Sequence, residues 1–143
     1  MGDRYGLGRF LRAQEPVYDQ VVQELRGGQK VTHWMWFVFP QFAGLGRSPM
    51  SRLYAIASAD EARAYLAHAV LGPRLLECSG IVAGLEAGSA AQIFGALDAA
   101  KLRSSMTLFM RAAPEEPTFS RVIDRYFEGR PDAATDELLA ASP

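Results

Sequence analysis

Apolar residues recur along this chain at helical spacing, while period-two alternation is nearly absent. That contrast restricts the fold to helices packed on helices. Val17, Tyr18, Val21, Val22 and Leu25 fall on one stripe. Pro16 suits a first-turn position, and Gly27-Gly28 ends the segment. A shorter helix is expected around Phe10, Leu11 and Ala13. Ser58-Ala59-Asp60-Glu61 is a capping-box pattern that predicts a helix from about Ala59 to His68. Gly72-Pro73 opens another, with Leu75, Leu76, Ser79, Val82 and Leu85 on one face and Gly88 as its stop. Ser89 to Gln92 repeats the capping logic for a short helix that Gly95 ends. Leu102, Met106, Phe109 and Met110 set a helix from Leu97 to about Ala112, and Pro114 and Pro117 mark a loop. Phe119, Val122, Ile123, Tyr126 and Phe127 form a stripe closed by Gly129, and Asp132 caps a last helix over about Ala133 to Ala141.

The chain has 143 residues, 49% of them hydrophobic, enough to bury a core in one domain. No repeat or linker divides it. The expected fold is all-α: a single compact domain over residues 1–143, core at about 9–139, of about seven to nine short helices in an irregular array. Net charge is -1 and pI about 6.1, so no nucleic-acid partner is expected. Cys78, the single cysteine, excludes an internal disulfide and reads as a small buried side chain in a cytoplasmic protein. No membrane-spanning run or signal peptide is read. His33 and His68 lack neighbouring ligands at metal-binding spacing, so neither a metal nor a cofactor is expected. Glu61, Glu77 and Glu86 are assigned to exposed helix faces.

Three stretches carry chemistry-bearing residues. His33 to Gln41 reads HWMWFVFPQ and holds both tryptophans. With no partner strand in sight it reads as a helix that Pro40 closes at Phe39. On that helix His33, Trp36, Phe37 and Pro40 share one side, and Trp34, Val38 and Gln41 another. The rings are either a buried helix or in part a pocket wall, with His33 and Gln41 as its polar groups.

Gly44-Leu45-Gly46-Arg47-Ser48-Pro49 follows directly. Gly44 and Gly46 permit a tight turn, Ser48 is placed to cap a helix starting at Pro49, and Arg47 suits an anion. It is neither a P-loop nor a dinucleotide fingerprint. The third stretch, Lys101 to Thr107, sets Lys101, Arg103, Ser104, Ser105 and Thr107 beside an apolar stripe. This suits the rim of an anion site or a solvated helix face. Asp98, three residues before Lys101, offers it a local ion pair.

AQEPVY (Ala13 to Tyr18), HWMWFVFPQ, GLGRS (Gly44 to Ser48), LGPRL (Leu71 to Leu75), IFG (Ile93 to Gly95) and KLRSSMTLF (Lys101 to Phe109) follow in this order. Together they resemble the bacterial domain-of-unknown-function 1810 family, over about Arg9 to Leu139. The family tends to show His-Pro-Val-Leu-Gly where this chain has His68-Ala69-Val70-Leu71-Gly72. The resemblance implies a compact all-helical domain and no established activity. The label "calpastatin" carried by some members is rejected, because calpastatin is largely disordered and this chain has the pattern of a packed globule.

Two functional expectations follow. In the first, the three stretches meet around one pocket that binds a small anionic ligand, nucleotide- or ADP-ribose-like, and hydrolyses it with His33 as acid/base. Trp34, Trp36, Gln41, Gly44, Gly46, Arg47, Ser48, Lys101, Arg103, Ser104 and Ser105 would line it. In the second, the chain is a non-enzymatic interaction or regulatory module, with the aromatic run as core or as a partner-binding patch.

Overall fold

The computed structural model describes residues 3–86 and 88–142. Ten helices form among them: α1 (Gly8–Gln14), α2 (Tyr18–Arg26), α3 (Met35–Val38), α4 (Pro49–Leu53), α5 (Ala59–Ala67), α6 (Leu71–Gly84), α7 (Ala90–Phe94), α8 (Ala96–Ala112), α9 (Pro117–Phe127) and α10 (Ala133–Ala141). Three, α3, α4 and α7, are single turns or little more, and the number exceeds the seven to nine expected. The class is all-α, and the only extended pairing among the described residues is an isolated parallel bridge between Phe42 and Ile56.

Caps place the helix starts where the sequence puts them. Ser48, Ser58, Ser89 and Asp132 each accept a backbone N–H of the first turn that would otherwise lack a partner. Ser89 and Gln92 complete a reciprocal capping box. Three boundaries differ from expectation. α2 starts at Tyr18, so Pro16 lies in the turn before it rather than in its first turn. α6 stops at Gly84 rather than Gly88, and Pro117 begins α9 instead of lying in the loop before it, its missing N–H costing nothing at a first-turn position.

α8 is the central element, packed against α5, α7, α9 and α10, while α6 lies against α2, α5 and α9. A file of rings joins these layers. Phe10 of α1 meets Tyr65 of α5 edge-on at 5.1 Å, Tyr65 meets Phe109 of α8 at 5.4 Å, and Phe109 meets Phe119 of α9 at 5.9 Å. All four are fully buried. Each pair adds about 0.5–1.5 kcal/mol beyond the burial of its area. Cys78 is buried as expected, and burial pushes its thiol up to about 12. The α5–α6 junction turns so tightly that a Cβ on Gly72 would fall 2.1 Å from the Leu66 carbonyl oxygen.

The assignment of Glu61 to an exposed face does not hold. Its carboxylate is buried and accepts from Arg9 Nη2 at 3.0 Å and from the Ala57 amide at 3.0 Å. A third-position glutamate in a capping box points back toward the cap, and here that direction leads into the protein.

Candidate functional site

The aromatic run does not form the long helix expected. α3 is a single turn, Met35–Val38, with Trp34 non-helical before it (φ -139°) and Phe39 ending it before Pro40. The loop before it is tied to Glu24. On α2 Glu24 shares a face with Val21 and Leu25, and like them it is buried. Its Oε1 accepts from the Val31 amide at 2.7 Å, the Thr32 amide at 3.0 Å and Trp34 Nε1 at 3.0 Å. Oε2 accepts from Thr32 Oγ1 at 2.6 Å and Gln20 Nε2 at 3.1 Å. The carboxylate thus pins Val31, Thr32 and the Trp34 indole just ahead of α3.

Burial opposes ionisation of Glu24. The hydrogen bonds from Thr32, Val31 and Trp34 outweigh it and bring the carboxyl down to about 2.

The placement of the rings follows. Trp34, Met35, Phe37, Val38 and Phe39 are core, with Trp34 only 1% exposed. His33, outside the helix, is exposed, so it does not share a face with the buried Phe37 and Pro40. Trp36 is half-buried and carries Lys101 Nζ 5.3 Å from its ring centre. The aromatic run and α8 therefore do meet, through Trp36 and Lys101. Asp98 stands between two lysines: Oδ1 is 3.4 Å from Lys101 Nζ, and Oδ2 is 2.9 Å from Lys30 Nζ. Lys30 lies over the Trp34 ring at 5.1 Å, and its amide donates to the Ile93 carbonyl at 2.7 Å. The result is a continuous file, Glu24, Trp34, Lys30, Asp98, Lys101, Trp36, in which two carboxylates balance two ammonium groups.

The other residues considered go elsewhere. Arg103 Nε donates to the Arg130 carbonyl at 2.8 Å and Nη2 to the Pro131 carbonyl at 3.3 Å. Ser104 Oγ bonds Asp132 Oδ2 at 3.1 Å and the Ala100 carbonyl at 3.1 Å. Thr107 Oγ1 accepts from the Asp132 amide at 2.8 Å. These three side chains dock the start of α10 onto α8. Ser105 is fully buried, and its hydroxyl has no hydrogen-bond partner among the described residues.

Gln41 is half-buried, and its carbonyl accepts from the Ile56 amide at 2.9 Å, beside the Phe42–Ile56 bridge. Gly44 has φ +102°, and a Cβ there would meet Leu138 of α10 at 3.4 Å. A Cβ on Gly46 would fall 2.4 Å from the Ser51 side chain. Ser48 Oγ is taken up in capping α4, while Arg47 is exposed. No pocket forms among the described residues. No group of three or more metal-ligating side chains is found among them either.

Sequence reasoning missed Glu24 and Lys30. The signal for Glu24 was a carboxylate three residues from Val21 and next to Leu25, on the buried stripe of α2. For Lys30 the local sequence carries no signal, because Asp98 reaches it from far along the chain.

Fold and site together define a class: a single helical domain with a charge-balanced aromatic cluster. Residues 4–139 match the protein family described as Protein of unknown function (DUF1810), and the chain belongs to that family. It is similar to the conserved hypothetical protein Rv1873 from Mycobacterium tuberculosis, known from a crystal structure. The two are 51% identical, with a TM-score of 0.96, over 98% of this chain and 100% of the other. No curated protein matches the chain.

Proposed function

We propose that this chain is a non-enzymatic interaction module whose contact face surrounds Trp36 and Lys101. The observation that carries this reading is the position of its exposed apolar residues. Val31 is 67% exposed and Leu97 is 83% exposed, and each adjoins a member of the Lys30–Asp98 ion pair. His33 is exposed on the same loop, and Trp36 lies half-buried against Lys101. Glu24 holds the loop from beneath, so the face is rigid before a partner arrives. A rigid, partly buried tryptophan beside apolar and basic groups has the character of a binding hot spot. The balance of two carboxylates against two lysines leaves little net field for a small free anion.

The test begins with a photo-reactive residue at position 97, cross-linked in the native host, and continues with the purified pair. Leu97→Asp and Trp36→Ala should each weaken the reconstituted complex at least tenfold, since loss of a hot-spot side chain costs about 2 kcal/mol or more. Wild-type affinity in both variants would overturn the reading, whatever the cross-link captured.

A further inference from the structure

A second surface is built from the N-terminal turn, α1 and α4, and its hub is Arg9. Arg9 Nε donates to the Leu53 carbonyl at 2.8 Å, Nη1 to the Tyr5 and Gly6 carbonyls at 2.7 and 2.8 Å, and Nη2 to the Ala55 carbonyl at 2.8 Å and to Glu61 at 3.0 Å. One guanidinium thus fixes residues 5–6, α1 and the end of α4 to one another. Three further arginines stand exposed around it: Arg4 beside Tyr5, Arg12 one helical turn beyond Arg9, and Arg52 beside Leu53. Arg12 Nη1 lies 2.9 Å from where a Cβ on Gly8 would be, so its guanidinium folds back toward the N-terminal turn. Arg47 is also exposed, one residue before the cap of α4 at the other end of that short helix.

None of these four forms an ion pair among the described residues. Two carboxylates lie at this face. Asp3 accepts from the Leu7 and Gly8 amides at 2.7 and 2.6 Å, and Glu61 is buried against Arg9 and the Ala57 amide. Leu53, 53% exposed, stands beside Arg52. In a chain of net charge -1, this is a local excess of cations, with Arg4, Arg12, Arg47 and Arg52 set against the single charge of Asp3.

We propose that this arginine face docks an acidic, carboxylate-rich segment of a partner protein, with Leu53 receiving an apolar side chain from the same segment. Charge complementarity selects this partner, and residue type sharpens the choice. All the cations are arginine, whose planar fork pairs bidentately with carboxylate. An exposed leucine among them favours a polypeptide over a phosphate backbone, which has nothing apolar to place there. One leucine is also a small apolar contact with which to enter a bilayer. This surface is independent of the Trp36 face.

Fluorescence anisotropy with a short labelled peptide alternating glutamate and leucine tests the proposal. Parallel arms use a glutamine-for-glutamate peptide, phosphatidylserine vesicles and duplex DNA. The acidic peptide should bind at low ionic strength and weaken as salt is raised, and the glutamine peptide should not bind. Arg12→Glu and Arg52→Glu should each lower affinity about tenfold. Arg121→Glu on α9 and Leu97→Asp should leave it unchanged. Thermal melts matching wild type assign the losses to charge rather than to unfolding. Failure of the acidic peptide to bind at low salt, reversals without effect, or stronger binding to vesicles or DNA would each overturn the proposal.

Discussion

At the residue scale, Glu24 does more than any other side chain to shape the aromatic face. Its carboxyl lies at about 2 against an ordinary 4.5, so the ionised form is favoured in the folded state. The stabilisation it supplies is complete above the ordinary value and is lost as pH falls from about 4.5 toward 2. Glu24→Gln should therefore cost about 2 kcal/mol at neutral pH, because an amide cannot accept from every donor now bound. Thermal melts from neutral to acidic pH check this, and the gap between wild type and variant should narrow on the acid side. Ser105→Ala should behave oppositely. It removes a buried hydroxyl with no partner, so stability should stay level or rise by about 1 kcal/mol in denaturant unfolding.

At the level of elements, the sequence was most readable where structure is local. Ser58, Ser89 and Asp132 cap the helices their neighbours announce, and the stripe Phe119, Val122, Ile123 is buried as its spacing requires. It was least readable where one distant side chain overrides a local pattern. The spacing from His33 to Pro40 is compatible with a helix, yet only Met35–Val38 is helical, and the loop before it is tied to Glu24 of α2. Arg103 is two residues from Lys101, yet the carbonyls of Arg130 and Pro131 draw it toward α10. Gly72 is a case where only the assembled junction explains the residue. Gly72→Ala would drive a methyl group into the Leu66 carbonyl and should destabilise by about 3 kcal/mol, read from the midpoint of chemical unfolding.

For the whole molecule, the all-helical class followed from periodicity alone, and the family membership from motifs spread along the chain. The way the three chemistry-bearing stretches assemble did not follow, because it depends on which groups satisfy one another. Trp36 and Lys101 come together, Ser104 and Arg103 hold α10, and the Gly44 turn packs on Leu138. What is left at the surface is a rigid patch around Trp36 and a face of arginines around Arg9. No single helix among the described residues is long and apolar enough to cross a membrane. A module that works through such surfaces should not be stabilised by small anions. A thermal-shift screen with nucleotides, phosphosugars and ADP-ribose, on wild type, Lys101→Ala and Arg47→Ala, puts that directly to the test. The melting temperature should not move with any of these ligands. A stabilisation approaching the roughly 2.7 kcal/mol expected at about 100 times the dissociation constant, abolished by Lys101→Ala or Arg47→Ala, would contradict the module and restore a small-molecule site.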